Sequence, residues 1–212
     1  MIGIVDYGMG NLHSVSKALE RLDQPYFVSE SPGDLVKAAG LILPGVGSFK
    51  DAMAILSERG LDEFLRHEVD NGTPLLGICL GMQLLFTESE ENGRTKGLNL
   101  LPGRCERFSG ERESGERYKV PHMGWNWLDF RQPDHSLLQG LDEGHVYFVH
   151  SYVVQAGHSE DVLAASDYFG KVPAVVGRGH VFGTQFHPEK SGALGMSILA
   201  NFCGLVEGGA IR

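Results

Sequence analysis

The 212-residue sequence predicts an α/β fold: a mostly parallel central sheet flanked by helices, with antiparallel strands added in its second half. Three observations carry this. Short, uninterrupted apolar runs alternate with helix-period patterns through the first half, as strands covered on both faces by crossover helices require. After Gly97 the texture changes to closely spaced strand-like segments, which suit antiparallel neighbours. No linker or repeat divides the chain, so a single domain over 1–212 is expected, long enough to bury its own core.

In order, Ile2-Gly3-Ile4-Val5 opens as a strand, and Leu12, Val15, Leu19 and Leu22 then recur at helical spacing. Strand runs follow at Tyr26-Phe27-Val28, Gly40-Leu41-Ile42-Leu43 and Pro74-Leu75-Leu76-Gly77-Ile78, with helix-like stretches at about 50 to 58, 61 to 70 and 80 to 88. In the second half, 103 to 108, 125 to 130, 145 to 154, 162 to 166, 174 to 178 and 180 to 186 read as strands. Ser109 to Tyr118 is charged and aperiodic, and is expected as an exposed loop or hairpin tip. Leu194, Ile198, Phe202 and Leu205 place a last helix against the sheet.

Composition narrows the function. At 42% hydrophobic and 21% charged the chain has the make-up of a soluble globular protein, and its net charge of −9 argues against a nucleic-acid partner, which would need clustered Lys and Arg. The opening segment has no basic flank and no apolar run approaches a membrane span, so a cytoplasmic location is expected. Three cysteines imply free thiols rather than a disulfide framework. No metal motif of the CxxC or HExxH type occurs, and no cofactor motif is visible. Glycine is abundant, 29 residues, so tight turns and close backbone approaches are expected.

The strongest local signal is Gly77-Ile78-Cys79-Leu80-Gly81, where a buried strand gives way to a helix-like segment. In its serine form this pattern is a strained elbow that lifts a nucleophile to the top of a sheet, with the glycines removing Cβ clashes. Cys79 is the candidate nucleophile. A cysteine nucleophile needs a base and a group to orient that base. Phe186-His187-Pro188-Glu189 offers both, His187 at the end of an apolar strand and Glu189 within reach of its far nitrogen. Cys105 and Cys203 have no comparable setting and are read as structural.

Attack on an amide carbonyl creates an oxyanion that needs two preorganised N–H donors. Leu80, next after the nucleophile, supplies one, and the glycine-rich Pro44-Gly45-Val46-Gly47-Ser48 suits the second, from Val46 or Gly47. Gln83, four residues after Cys79 and one turn along, can reach a ligand bound over the thiol.

The PGVGS loop, the Gly-Ile-Cys-Leu-Gly-Met-Gln elbow and the late His-Pro-Glu, in this order, resemble the class I, triad-type glutamine amidotransferases, whose fold is flavodoxin-like. Asp6-Tyr7-Gly8-Met9-Gly10-Asn11-Leu12, Pro121-His122-Met123-Gly124-Trp125-Asn126 and Tyr147-Phe148-Val149-His150-Ser151-Tyr152 are similar to the histidine-biosynthesis branch of that family. The resemblance implies a glutaminase that hands ammonia to a (β/α)-barrel cyclase as a heterodimer, the cyclase making imidazole glycerol phosphate and aminoimidazole carboxamide ribotide. It implies glutamine contacts at Gln83, Glu91, His150, Ser151 and Tyr152, and a partner interface at Asn11, Tyr147 and Lys190. A glutaminase serving another pathway, a free-standing cysteine hydrolase and a glutamine-binding regulatory subunit remain the other readings.

Overall fold

The computed structural model describes residues 1–112 and 114–208. Its first part runs β1 (Ile2–Val5), α1 (Leu12–Arg21), β2 (Tyr26–Ser29), α2 (Pro32–Leu35), β3 (Gly40–Gly45), α3 (Phe49–Glu58), α4 (Leu61–Asp70), β4 (Leu75–Cys79) and α5 (Leu80–Leu84). The rest runs β5 (Phe86–Ser89), β6 (Thr95–Lys96), β7 (Leu101–Arg107), β8 (His122–Phe130), β9 (Gly144–His150), β10 (Tyr152–Ala156), β11 (Val162–Asp167), β12 (Lys171–Arg178), β13 (Val181–Thr184) and α6 (Gly192–Gly208).

A nine-stranded sheet has the order β2-β1-β3-β4-β13-β12-β11-β8-β9. Pairing is parallel from β2 to β13 and antiparallel from there to β9. β1, β3 and β4 are buried along their whole length, as their unbroken apolar runs require. Alternation sends Ile42 to one side of the sheet and Leu41 and Leu43 to the other. On the Ile42 side pack α1 (Val15, Leu19) and α6 (Ile198, Phe202), and on the opposite side α3 and α4 (Phe49, Leu56, Leu65). Each such fully buried side chain contributes about 1.5–3 kcal/mol of transfer free energy. Asn11 caps α1 by accepting from the Ser14 N–H, and Ser48 caps α3 through the Asp51 N–H. No helix among the described residues is long and apolar enough to cross a membrane.

Several boundaries differ from expectation. The helix expected over 80 to 88 stops at Leu84, because the carbonyls of Leu84 and Leu85 accept from Leu98, Leu100 and Leu101 instead of continuing the helix, and Phe86–Ser89 becomes β5. The segment 145 to 154 is two strands that part at Ser151: β9 ends the large sheet, while β10 joins a second, four-stranded sheet in the order β10-β7-β5-β6. Not all later strands are therefore additions to the central sheet. β8 and β12 start three residues before their expected positions, and α2 is an unexpected short turn of helix led by Pro32. Cys105, on the strand expected to be polar, is buried against α5, with its thiol directed at the Gln83 carbonyl. The Ser109–Tyr118 segment is mainly exposed and closed by a Glu111–Arg117 bridge; its Glu113, like residues 209–212 of the expected domain, lies outside the described residues.

Candidate active site

The carboxyl ends of β3, β4 and β13 lie side by side, Gly45 opposite Cys79 and Ile78 opposite Thr184. Cys79 closes β4 with φ 57° and ψ −111°, a strained backbone for a residue carrying a Cβ, of order 1–3 kcal/mol. The turn is tight enough to exclude side chains at both flanking glycines. A Cβ on Gly77 would come within 2.5 Å of the Gly81 carbonyl oxygen, and one on Gly81 within 1.8 Å of the Leu43 carbonyl oxygen. Strand-to-helix geometry of this kind holds a thiol out of the sheet and toward a cleft.

His187 leaves β13 into a 3-10 turn, Pro188–Lys190, that brings Glu189 back beneath it. Its Nδ1 lies 2.8 Å from Glu189 Oε1, with both side chains almost fully buried. Nδ1 therefore carries a proton toward the carboxylate, and Nε2 is left for Cys79. Burial alone would lower the imidazole pKa. The neighbouring Cys79 sulfur and the hydrogen-bonded Glu189 carboxylate outweigh it and raise the value to about 9. The loop is anchored to β9: the His187 N–H donates to the Tyr147 carbonyl, and the Ser191 hydroxyl accepts from the Tyr147 N–H while donating to the His187 carbonyl.

A cavity of about 400 Å³ opens over the thiol, lined by the expected Val46, Gly47, Leu80, Gln83, Glu91, His150, Ser151 and Tyr152 together with Pro121 and Val149. That volume suits a small ligand. Gln83 Nε2 donates to the Tyr152 carbonyl at 3.2 Å and to Gln185 Oε1 at 3.0 Å, so its Oε1 is the atom left to face a ligand. Glu91 reaches the cavity from the loop after β5, its Oε2 accepting the Phe49 N–H at the start of α3.

Gln185 escaped the sequence reading although it stands two residues before His187. It is fully buried, with Nε2 4.0 Å from Cys79 Sγ, and an uncharged polar residue inside an apolar strand block was the available signal. Tyr7 escaped it too. Its buried hydroxyl has no partner among the described residues and lies 2.7 Å from where a Cβ on Gly45 would be, and burial, reinforced by Cys79, pushes its pKa up.

The expectation for Val46 as oxyanion donor needs correction in this conformation. Its N–H donates to the Met9 carbonyl at 2.9 Å, so it could serve an oxyanion only if the Gly45–Val46 peptide turned over. Gly47, at φ 95°, remains beside Leu80 on the cavity wall.

Of the three interface candidates, Tyr147 is half-buried on β9, Lys190 is exposed on the His187 turn, and Asn11 caps α1, which packs against that turn. Beside them lies an apolar face that the sequence did not single out. Met123, Trp125 and Trp127 on β8 stand opposite Val149, Tyr147 and His145 on β9, with Trp125 57% exposed.

The family described as Glutamine amidotransferase class-I matches residues 3–205. Imidazole glycerol phosphate synthase subunit HisH of Halalkalibacterium halodurans is 67% identical over 209 residues, 99% of this chain and 98% of that one. The Geobacillus kaustophilus subunit of the same name is 68% identical over 208 residues, 98% of each chain. Among solved structures, a glutamine amidotransferase crystal structure superposes with a TM-score of 0.74 at 22% identity over 98% of both chains. The structure of PurLQS from Thermotoga maritima gives 0.71 at 18% identity, over 96% of this chain and 97% of that one. These two likenesses speak for the fold alone, whereas the curated relatives speak at the level of the whole sequence. The chain belongs to the class-I glutamine amidotransferase family, in the branch formed by the HisH subunits of imidazole glycerol phosphate synthase.

Proposed function

We propose that the chain, acting as one domain in the cytoplasm, hydrolyses glutamine to glutamate and ammonia and passes the ammonia to a barrel-type cyclase subunit in histidine biosynthesis. The observation that carries this is the strained Cys79 elbow and the His187–Glu189 pair meeting at one small-ligand cavity. The Cys79 thiolate attacks the side-chain amide carbon of glutamine. The resulting oxyanion is held by the Leu80 N–H and by a donor of the Val46-Gly47 loop. Collapse of the intermediate breaks the C–N bond as the His187 imidazolium protonates the leaving nitrogen, giving ammonia and a γ-glutamyl thioester. His187, now neutral, takes a proton from water, which attacks the thioester and regenerates the thiolate with release of glutamate.

Glutamine would lie with its amide over Cys79 and its amino-acid end toward Gln83, Glu91 and the His150-Ser151-Tyr152 segment. The exposed Trp125 face, contiguous with the Tyr147 anchor of the His187 loop, is a surface of the kind that marks protein partners, and it supports docking of the cyclase there alongside Asn11 and Lys190. A docked path protects ammonia, which bulk water at neutral pH would protonate and remove as a nucleophile. With the Val46 N–H held by the Met9 carbonyl, Gly47 is the nearer candidate for the second donor. Glutamate release by the chain alone and with the cyclase tests the proposal. Strong release without a partner would favour a free-standing hydrolase, and none in either state a binding subunit.

A further inference from the structure

Strands β8 and β9 pair with His122 opposite His150, and both imidazoles are buried. His122 Nδ1 is 3.0 Å from His150 Nε2, His150 Nδ1 is 2.7 Å from the Tyr152 carbonyl, and Asn126 Nδ2 is 3.3 Å from His122 Nε2. The direction of these bonds is set at both ends by backbone groups. The Tyr152 carbonyl can only accept, so His150 carries its proton on Nδ1 and a neutral ring leaves Nε2 bare. His122 must then donate from Nδ1, and its own bare Nε2 accepts a hydrogen bond from Asn126 Nδ2. The amide of Asn126 is oriented independently: its Oδ1 accepts the Trp127 N–H at 2.8 Å and its Nδ2 donates to the Asp167 carbonyl at 2.8 Å.

At its other end the chain of bonds meets the active site. The Tyr152 carbonyl also accepts from Gln83 Nε2, whose second hydrogen goes to Gln185 Oε1, which turns Gln185 Nε2 toward Cys79. Neither Asn126 nor His122 lines the cavity. We propose that Asn126 and His122 are positioning residues of the glutaminase site: through His150 they fix the Tyr152 carbonyl, and with it the oxygen that Gln83 shows to the substrate and the amide that Gln185 shows to the nucleophile. The inference rests on the reading of the cavity as a glutamine site.

The surroundings keep both rings neutral, as a one-way relay requires. Burial, with His150 nearby, pushes His122 down to about 3, and burial pushes His150 down to about 4. A charged His122 would aim a second N–H at the Asn126 amide donor. The His122 ring is also clamped between Phe148 and Tyr168, with centroids 4.4 and 4.0 Å away, so it cannot swing out of line.

Nitrogen-15 NMR of the histidine rings in the full-length chain tests the relay without any activity assay. The expected result at neutral pH is two uncharged rings protonated on Nδ1. An Nε2–H tautomer or a charged ring at either residue overturns the relay. The kinetic arm uses the complex with the cyclase. His122→Leu should raise KM for glutamine about three- to tenfold, the loss expected for one ordering hydrogen bond, with a smaller fall in kcat through the Gln185 amide. His122→Asn, whose Nδ2 replaces the imidazole Nδ1 donor, should recover most of that loss. An unchanged KM in folded His122→Leu, or no recovery in His122→Asn, overturns the positioning role. Should His122→Leu not fold, Asn126→Ala carries the same KM test. Absence of glutamate release by the native chain with the cyclase would instead defeat the glutaminase reading while leaving the ring tautomers as they are.

Discussion

Replacing Glu189 by Gln isolates what orients the base. The side chain is almost fully buried, one oxygen 2.8 Å from His187 Nδ1 and the other without a partner among the described residues. The rise of the His187 pKa from 6.5 to about 9 corresponds to about 3 kcal/mol of net stabilisation of the imidazolium, to which Cys79 and then Glu189 contribute against the cost of burial. Glutamine can either turn its amide nitrogen to Nδ1, selecting the tautomer that cannot accept from Cys79, or bury that nitrogen where the unpartnered oxygen was. Either way kcat should fall by about 100-fold or more, as when a buried triad carboxylate becomes an amide. The pH profile carries a second signature. The raised pKa means that the proton His187 gives to departing ammonia, and the stability tied to it, are fully present below about 6.5 and lost as pH rises through about 9. The alkaline limb of glutaminase activity is therefore expected near 9 in the native chain and displaced toward 6.5 in Glu189→Gln. The assay is glutamate release across pH in the presence of the cyclase. A variant that keeps nearly full activity with an unmoved alkaline limb would refute the orienting role.

Three further substitutions probe the scaffold and the surface. Gly81→Ala drives a Cβ into the Leu43 carbonyl, backbone against backbone, so a loss of more than about 3 kcal/mol or failure to fold is expected in denaturant melts. Gly204→Ala, in α6 with open space around it, should instead stabilise by about 0.5–1 kcal/mol in the same melts. Trp125→Asp, on an exposed ring, should leave those melts within about 0.5 kcal/mol of the native chain. It should weaken association with the cyclase by about 2 kcal/mol or more in titration calorimetry.

What was legible in the sequence is what short-range chemistry encodes. Gly77-Ile78-Cys79-Leu80-Gly81 spells an elbow because each glycine answers a clash with a neighbour a few residues away or on an adjacent strand, and His187 and Glu189 meet within a single turn. The buried runs of β1, β3 and β4 declared the parallel sheet. The His122–His150 pair was not legible as a contact, because it depends on the register of β8 against β9 across a long loop. The bend at Ser151 that splits β9 from β10 carries neither Gly nor Pro to announce it. Phe86 looked like one more helical position because only the distant Leu98–Leu101 segment captures the carbonyls that end α5. The Val46 N–H was a fair candidate from its loop, yet its partner, the Met9 carbonyl, lies on a different loop.

The central claim is tested most directly by glutamate release from glutamine with the full-length chain and its Cys79→Ala variant, each alone and with the ligand-bound cyclase. The account predicts release that rises sharply with the cyclase and disappears in the variant, which should still fold and bind the partner. Undiminished release by Cys79→Ala would contradict it.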